Sequence, residues 1–294
     1  MSSAVKRFNV VRMILNKSIF DENIIHIILT EYWKDLKNKN KVLLDWINLE
    51  KLSWKYLSEN PNAIDLLKKN QDKIDWESLC LNPNAINLLK ENQNKIDWYL
   101  LSQNKNAINL LKENPDKINF AQLCDNSNAI SIIKQYKKEI WDYEKMLLNR
   151  NKNAINLLEK NPNYIIWSEL SKNINAISLL EKNQDKINWY NLSNNKNAIK
   201  LLEKNLDKIN WFILSMNINA INLLENNLDK IDWQLLCFNK NAIKIIENNL
   251  DKINWDELST NINAIHILEN NVDKINWNYL SLNPSIFEDE PMPL

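Results

Sequence analysis

The sequence predicts an all-α fold, an α-solenoid of stacked two-helix repeats of about 22 residues each with N- and C-terminal caps. Three observations predict it. The triplet Asn-Ala-Ile occurs ten times, at Ala63, Ala85, Ala107, Ala129, Ala154, Ala176, Ala198, Ala220, Ala242 and Ala264; the step is 22 residues except for 25 between Ala129 and Ala154. An aromatic column keeps the same phase: Trp54, Trp76, Trp98, Phe120, Trp167, Trp189, Trp211, Trp233, Trp255 and Trp277. Within a unit, Ala63, Ile64, Leu66 and Leu67 fall on one helical face.

The first helix of a unit follows an asparagine three residues before the repeat alanine, such as Asn60 or Asn82, read as an N-cap. Pro61 and Pro83 then occupy a first helical position, where the missing amide costs nothing. The helix is expected to stop at Asn70 and its counterparts, with Asn in the left-handed conformation in place of Gly, which the chain lacks altogether. The second helix starts after a cap former (Asp75, Asp97, Asn119, Asn188, Asn210, Asp232, Asn254 or Asn276) and is expected to bury Trp and Leu three apart. Two columns stay small so that helices can approach: the repeat alanine, and Ser58, Cys80, Ser102, Cys124, Ser171, Ser193, Ser215, Cys237, Ser259 and Ser281. All three cysteines stand in that second column. Units about 8–10 Å apart keep them beyond disulfide reach, so they read as structural thiols in a reducing compartment.

Composition excludes several function classes. The 37 basic and 37 acidic residues balance, so no whole-chain field draws the protein to nucleic acid or anionic membrane. No apolar run is long enough to span a bilayer, and the start, Met1-Ser-Ser-Ala-Val-Lys-Arg-Phe, lacks the apolar core of a signal peptide. A phosphate loop needs glycine, and neither His26 nor His266 stands at metal-ligand spacing from a cysteine. The expectation is a non-enzymatic protein with no catalytic residue, cofactor or metal.

Residues 1–53 read as a helical N-terminal cap carrying a worn repeat, since Val42, Leu44 and Leu52 fall where Ile64, Leu66 and Ile74 fall one unit later. Residues 54–287 are the repeat solenoid, and 288–294 an acidic tail that closes it. The unit from Ala129 to Arg150 carries three extra residues and an inverted Trp141-Asp142-Tyr143; with Tyr164 in a lysine column and Ile166 in a cap column, it reads as a local kink or bulge. Five residues after the repeat alanine, Lys68, Lys90, Lys112 and Lys134 give way to Glu159, Glu181, Glu203, Glu225, Glu247 and Glu269, an early-basic, late-acidic face. The phased Asp-Lys pairs, such as Asp72-Lys73 and Asp207-Lys208, read as a solvated charge ladder, or else as a lysine stripe for phosphates.

The unit Asn-Pro-Asn-Ala-Ile-x-Leu-Leu-x-x-Asn-x-x-Lys-Ile-Asp-Trp-x-x-Leu-Ser, closing on Asn283-Pro-Ser-Ile-Phe287, resembles a repeat family encoded by giant DNA viruses of the mimivirus type. The resemblance covers roughly residues 54–287 and implies a viral protein made in the host cytoplasm during infection, or carried in the virion; it brings no catalytic residues. Ile19-Phe-Asp-Glu-Asn-Ile-Ile-His-Ile-Ile-Leu-Thr-Glu-Tyr-Trp-Lys-Asp-Leu resembles the first helices of an F-box, which would recruit a ubiquitin-ligase adaptor.

The columns left free to specify a partner lie just after each tryptophan and in the irregular unit. Their aromatic and polar members, Tyr99, Trp141, Tyr143, Tyr164, Tyr190, Phe212, Gln234 and Asp256, are the candidate partner-binding residues, because aromatics anchor protein interfaces. The expected function is a scaffold for protein–protein interaction. The alternatives are single-stranded RNA read one base per repeat and a ligase substrate receptor.

Overall fold

A computed structural model describes residues 3–16, 21–37, 41–136 and 139–289. Helices α1 (Ser3–Leu15) and α2 (Glu22–Lys37) come first and pack on each other through Phe8, Ile25 and Leu29, a cluster separate from the main core. The repeats follow, built from a tryptophan helix such as Trp54–Glu59, a turn, an alanine helix such as Ile64–Lys69 and, in most units, one 3-10 turn such as Gln71–Lys73. The repeat alanines and the leucine of each tryptophan helix are fully buried, whereas the tryptophans are only half-buried against that core. The expected all-α repeat solenoid is what forms.

The asparagines work differently from the sequence expectation. No described residue has a positive φ, so Asn70 is not left-handed: its φ is −134°, and its side-chain amide donates to the Leu66 carbonyl at 2.9 Å, covering an orphan carbonyl of the last turn directly. Nor does Asn60 cap the helix that follows. It opens the turn before it, its Oδ1 accepting from the Asn62 N–H, while its Nδ2 points into the preceding unit. The caps of the tryptophan helices match expectation: Asp75 Oδ1 accepts from the Ser78 N–H at 2.9 Å, and the same bond recurs at Asp97, Asn119, Asn188, Asn210, Asp232, Asn254 and Asn276.

The main departure is that the solenoid closes. Asn82 Nδ2 donates to the carbonyls of Ser58 and Asn60 at 2.9 and 2.8 Å. Asn60 makes the same pair of bonds to Ser281 and Asn283 at 3.0 and 3.1 Å, across more than 220 residues. Eleven asparagines (Asn60, Asn82, Asn104, Asn126, Asn151, Asn173, Asn195, Asn217, Asn239, Asn261 and Asn283) thus form one unbroken ladder. Eleven units at about 8–10 Å each therefore make a circumference of about 100 Å, which corresponds to a diameter of about 30 Å at the helix axes.

The seam lies inside the eleventh unit. Its first half is the helix Trp277–Leu282 with the 3-10 turn Pro284–Ile286; its second half is the N-terminal segment 41–52. Where an alanine helix would stand, β1 (Lys41–Leu43) pairs antiparallel with β2 (Phe287–Asp289), and the Leu44 N–H continues the pairing to the Ile286 carbonyl. The Lys41 ammonium meets Asp289 at 2.6 Å. Ser53 N–H then donates to Ser281 Oγ at 2.8 Å, as Asp75 N–H does to Ser58 Oγ at 3.0 Å. Residues 41–53 are thus the missing half of the last repeat rather than part of a cap. Glu288 and Asp289 are strand residues rather than tail, and 290–294 lie outside the described residues.

The serine column is also a relay. Ser58 Oγ donates to the Trp54 carbonyl at 2.8 Å while accepting from the next unit. Cys80 and Cys237 donate through sulfur to the Trp76 and Trp233 carbonyls at 3.2 Å, and burial pushes both thiols up to about 11. All three cysteines are free and buried.

Two outcomes follow. Asn60→Ala leaves two buried seam carbonyls unpaired and should destabilise the protein by about 2–4 kcal/mol, as much as Asn195→Ala in mid-ring. Urea denaturation that found Asn60→Ala silent would mean the ring is open. At pH 8 a thiol titrating near 11 is about one-thousandth ionised, so alkylation of Cys80 and Cys237 should be near zero in native protein and complete in urea.

Candidate functional site

The residue after each tryptophan is the second of a helix whose opposite face carries the buried leucine, so it is turned away from the core. Tyr99 (49 % exposed), Tyr190 (51 %) and Phe212 (51 %) are the large side chains of this column, and Gln234 and Asp256 continue it, both exposed. Tyr190, Phe212, Gln234 and Asp256 stand on four consecutive units and form one band. Tyr99 lies apart and its hydroxyl takes a hydrogen bond from Gln122 Nε2 at 2.6 Å. The next column (Tyr56, Leu100, Asn191, Ile213, Leu235, Tyr279) is half-buried, packed between units rather than presented.

The phased lysines are not a freely solvated ladder. Each lies over the tryptophan ring of its own unit, 4.2–4.9 Å from the ring centre: Lys73 on Trp54, Lys95 on Trp76, Lys117 on Trp98, Lys186 on Trp167 and onward to Lys274 on Trp255. Lys51 on Trp277 completes the set across the seam. A cation held on an indole face gains about 0.5–1 kcal/mol at an exposed site, and the lysine stem covers the half-buried ring.

This pairing explains the irregular unit. Counting from the ladder, Lys145 stands in the tryptophan column and Tyr164 in the lysine column, and Lys145 Nζ lies 5.7 Å from the Tyr164 ring centre. Cation and ring have exchanged places. Asn149 stands in the serine column and does both serine jobs: Oδ1 accepts from the Ile166 N–H at 3.0 Å, and Nδ2 donates to the Lys145 carbonyl at 2.7 Å. The three extra residues lengthen the helix at its start, giving Asp142–Arg150, and the ladder passes through Asn151 unbroken. Of the expected kink or bulge, the described residues show a lengthened helix, which leaves the ladder bonds that set the stacking in place. Tyr164 is half-buried and packs against the core. Trp141 (68 % exposed) and Tyr143 (53 %) remain presented at the lengthened helix start.

The structure therefore joins Tyr190, Phe212, Gln234 and Asp256, places Trp141 and Tyr143 elsewhere, and sets Tyr164 against Lys145 in the packing between units. An aliphatic stripe, Leu206, Leu228, Leu250 and Val272, went unread in the sequence; it stands at the same position of four consecutive units, and three of its members head 3-10 turns. The signal was available, because Gln71, Gln93, Pro115, Pro162 and Gln184 fill that column earlier. Among the described residues no cluster of His, Cys, Asp or Glu could hold a metal, and no helix is long and apolar enough to cross a membrane. His266 is exposed and bonds Glu247 at 2.7 Å.

No protein-family model, characterised protein or solved structure matches the chain.

The exchanged pair has a clean test. Lys145→Trp and Tyr164→Lys should each destabilise, and the double variant, which restores the regular pairing, should recover at least about 0.5 kcal/mol of the summed loss in a double-mutant cycle. Additive losses would mean the two side chains do not interact.

Proposed function

We propose that the protein is a non-enzymatic ring scaffold that binds a protein partner through the band Tyr190, Phe212, Gln234 and Asp256. The observation that carries this reading is two large aromatics, each about half exposed, side by side on units whose spacing the ladder fixes. A rigid surface presenting aromatics loses little entropy on binding, which favours protein recognition. Together with the resemblance of the repeat, this supports a viral interaction protein acting in the host cytoplasm or in the virion.

A ligase-recruiting reading has one observation of its own. Helices α1 and α2 pack on each other and leave Val10, Met13, Ile14, Ile24 and Ile27 exposed, an apolar surface of the kind that marks a docking site. Ile19 and Phe20 of the F-box-like stretch lie outside the described residues.

Affinity capture from infected host cells with wild-type protein and with Tyr190→Ser/Phe212→Ser tests the first reading. The variant should keep its melting temperature within about 2 °C, since both residues are exposed, and lose the captured partner. An unchanged set of captured proteins would sink it. A ubiquitin-ligase adaptor captured by the full chain, and lost on deleting residues 1–40, would establish the second.

A further inference from the structure

The turn between the two helices lies on the inside of the curve. Turn residues of six consecutive units, from Leu81 to Lys196, line a single cavity of about 660 Å³. Lys105, Arg150, Lys152, Lys172 and Lys196 face it, against one lining carboxylate, Asp125. Glu169, outside the lining, bonds both Arg150 and Lys172. Burial pushes the Glu169 carboxyl up, but those two partners outweigh it and hold it below its ordinary range, so it counts as a full negative charge. Five cations less two carboxylates leave about three net positive charges on one small concave surface. The whole chain, by contrast, is balanced at 37 against 37.

Three features narrow what the cavity takes. Lys105, Lys152 and Lys196 recur at every second unit, alternate with Ser127 and Ile174, and form no ion pair among the described residues. The turn carbonyls of Pro83, Lys105, Ser127, Lys152, Ile174 and Lys196 already accept from the side-chain amides of the asparagines just before the repeat alanines of the following units, Asn106 to Asn219, so the wall offers cations rather than carbonyl oxygens. No aromatic side chain lines the cavity, so there is no platform on which a base could stack. A volume of this size suits a small molecule, and a concave wall of one sign concentrates counter-ions.

We propose that the lumen of the ring is a binding site for a small, non-aromatic polyanion carrying several clustered phosphates, held by Lys105, Lys152 and Lys196 with Arg150 and Lys172. An inositol polyphosphate and a short inorganic polyphosphate share this chemistry. The site is independent of the aromatic band.

Calorimetric titration of the full chain tests it, with inositol hexakisphosphate, inorganic tripolyphosphate and a 20-nucleotide single-stranded RNA as probes, at low and high salt. One small polyanion should bind at one per ring, more weakly as salt rises; whichever binds tighter identifies the source. Lys105→Gln/Lys152→Gln/Lys196→Gln should lose at least about tenfold in affinity. The control Lys68→Gln/Lys90→Gln/Lys112→Gln removes the same charge elsewhere and should lose less than about threefold. Lys196→Gln alone, which should show a partial loss, serves if the triple variant melts early. No binding, equal losses in both triple variants, or RNA bound more tightly than either small polyanion would overturn the proposal.

Discussion

The structure depends on a buried side-chain amide repeated once per unit. Asn82 and its counterparts are almost wholly buried, and each offers two N–H donors and one acceptor in a place where an unpaired polar group costs about 1–3 kcal/mol. The amide meets this by donating backward to the preceding unit and accepting locally from its own turn. A leucine there would leave the same turn carbonyls bare, and aspartate would set a carboxylate oxygen against them. The bond therefore fixes distance and rotation between neighbours with a precision that apolar packing alone does not give.

Because that rotation is the same at every step, eleven steps complete a circle, and Asn60 finds Ser281 and Asn283 where any other rung finds its predecessor. A solenoid with two ends must shield them; a ring removes the requirement. The seam is stapled by the split eleventh unit, in which a strand pair stands where an alanine helix would be. This pairing joins residues nearly 250 apart in sequence, so the last contacts to form are the most non-local, an ordering that slows folding but couples all units once closed.

The irregular unit shows what the ring requires and what it tolerates. Asn149 replaces serine and recovers both of its bonds; Lys145 and Tyr164 exchange cation and ring; three extra residues extend a helix away from the ladder. Each change preserves an interaction at the unit boundary while altering the residue types. Columns outside those interactions carry no such constraint, and they hold the variable side chains: the band around Phe212, the stripe around Leu228 and the luminal lysines. Rigid spacing with free surface chemistry suits a scaffold that presents two unlike surfaces, one aromatic and one cationic.

The sequence by itself determined the unit. The 22-residue step, the helix faces, the caps at Asp75 and its equivalents, the buried alanine and leucine and the small serine column follow from periodicity and local hydrogen-bond chemistry, because those signals lie within a few residues of one another. Even the seam left a trace in Val42, Leu44 and Leu52, matched to Ile64, Leu66 and Ile74. Only the tertiary structure decided the rest. Asn60 looks alike as a helix cap and as a ladder rung, and only its neighbour's carbonyls distinguish the two roles. Closure depends on a few degrees of rotation per unit summed over eleven units, an angle set by contacts between units and not by any residue type. The cavity is a product of the same stacking angle: Lys105, Lys152 and Lys196 are 47 and 44 residues apart along the chain, and they share a cavity because the stacked units between them curve.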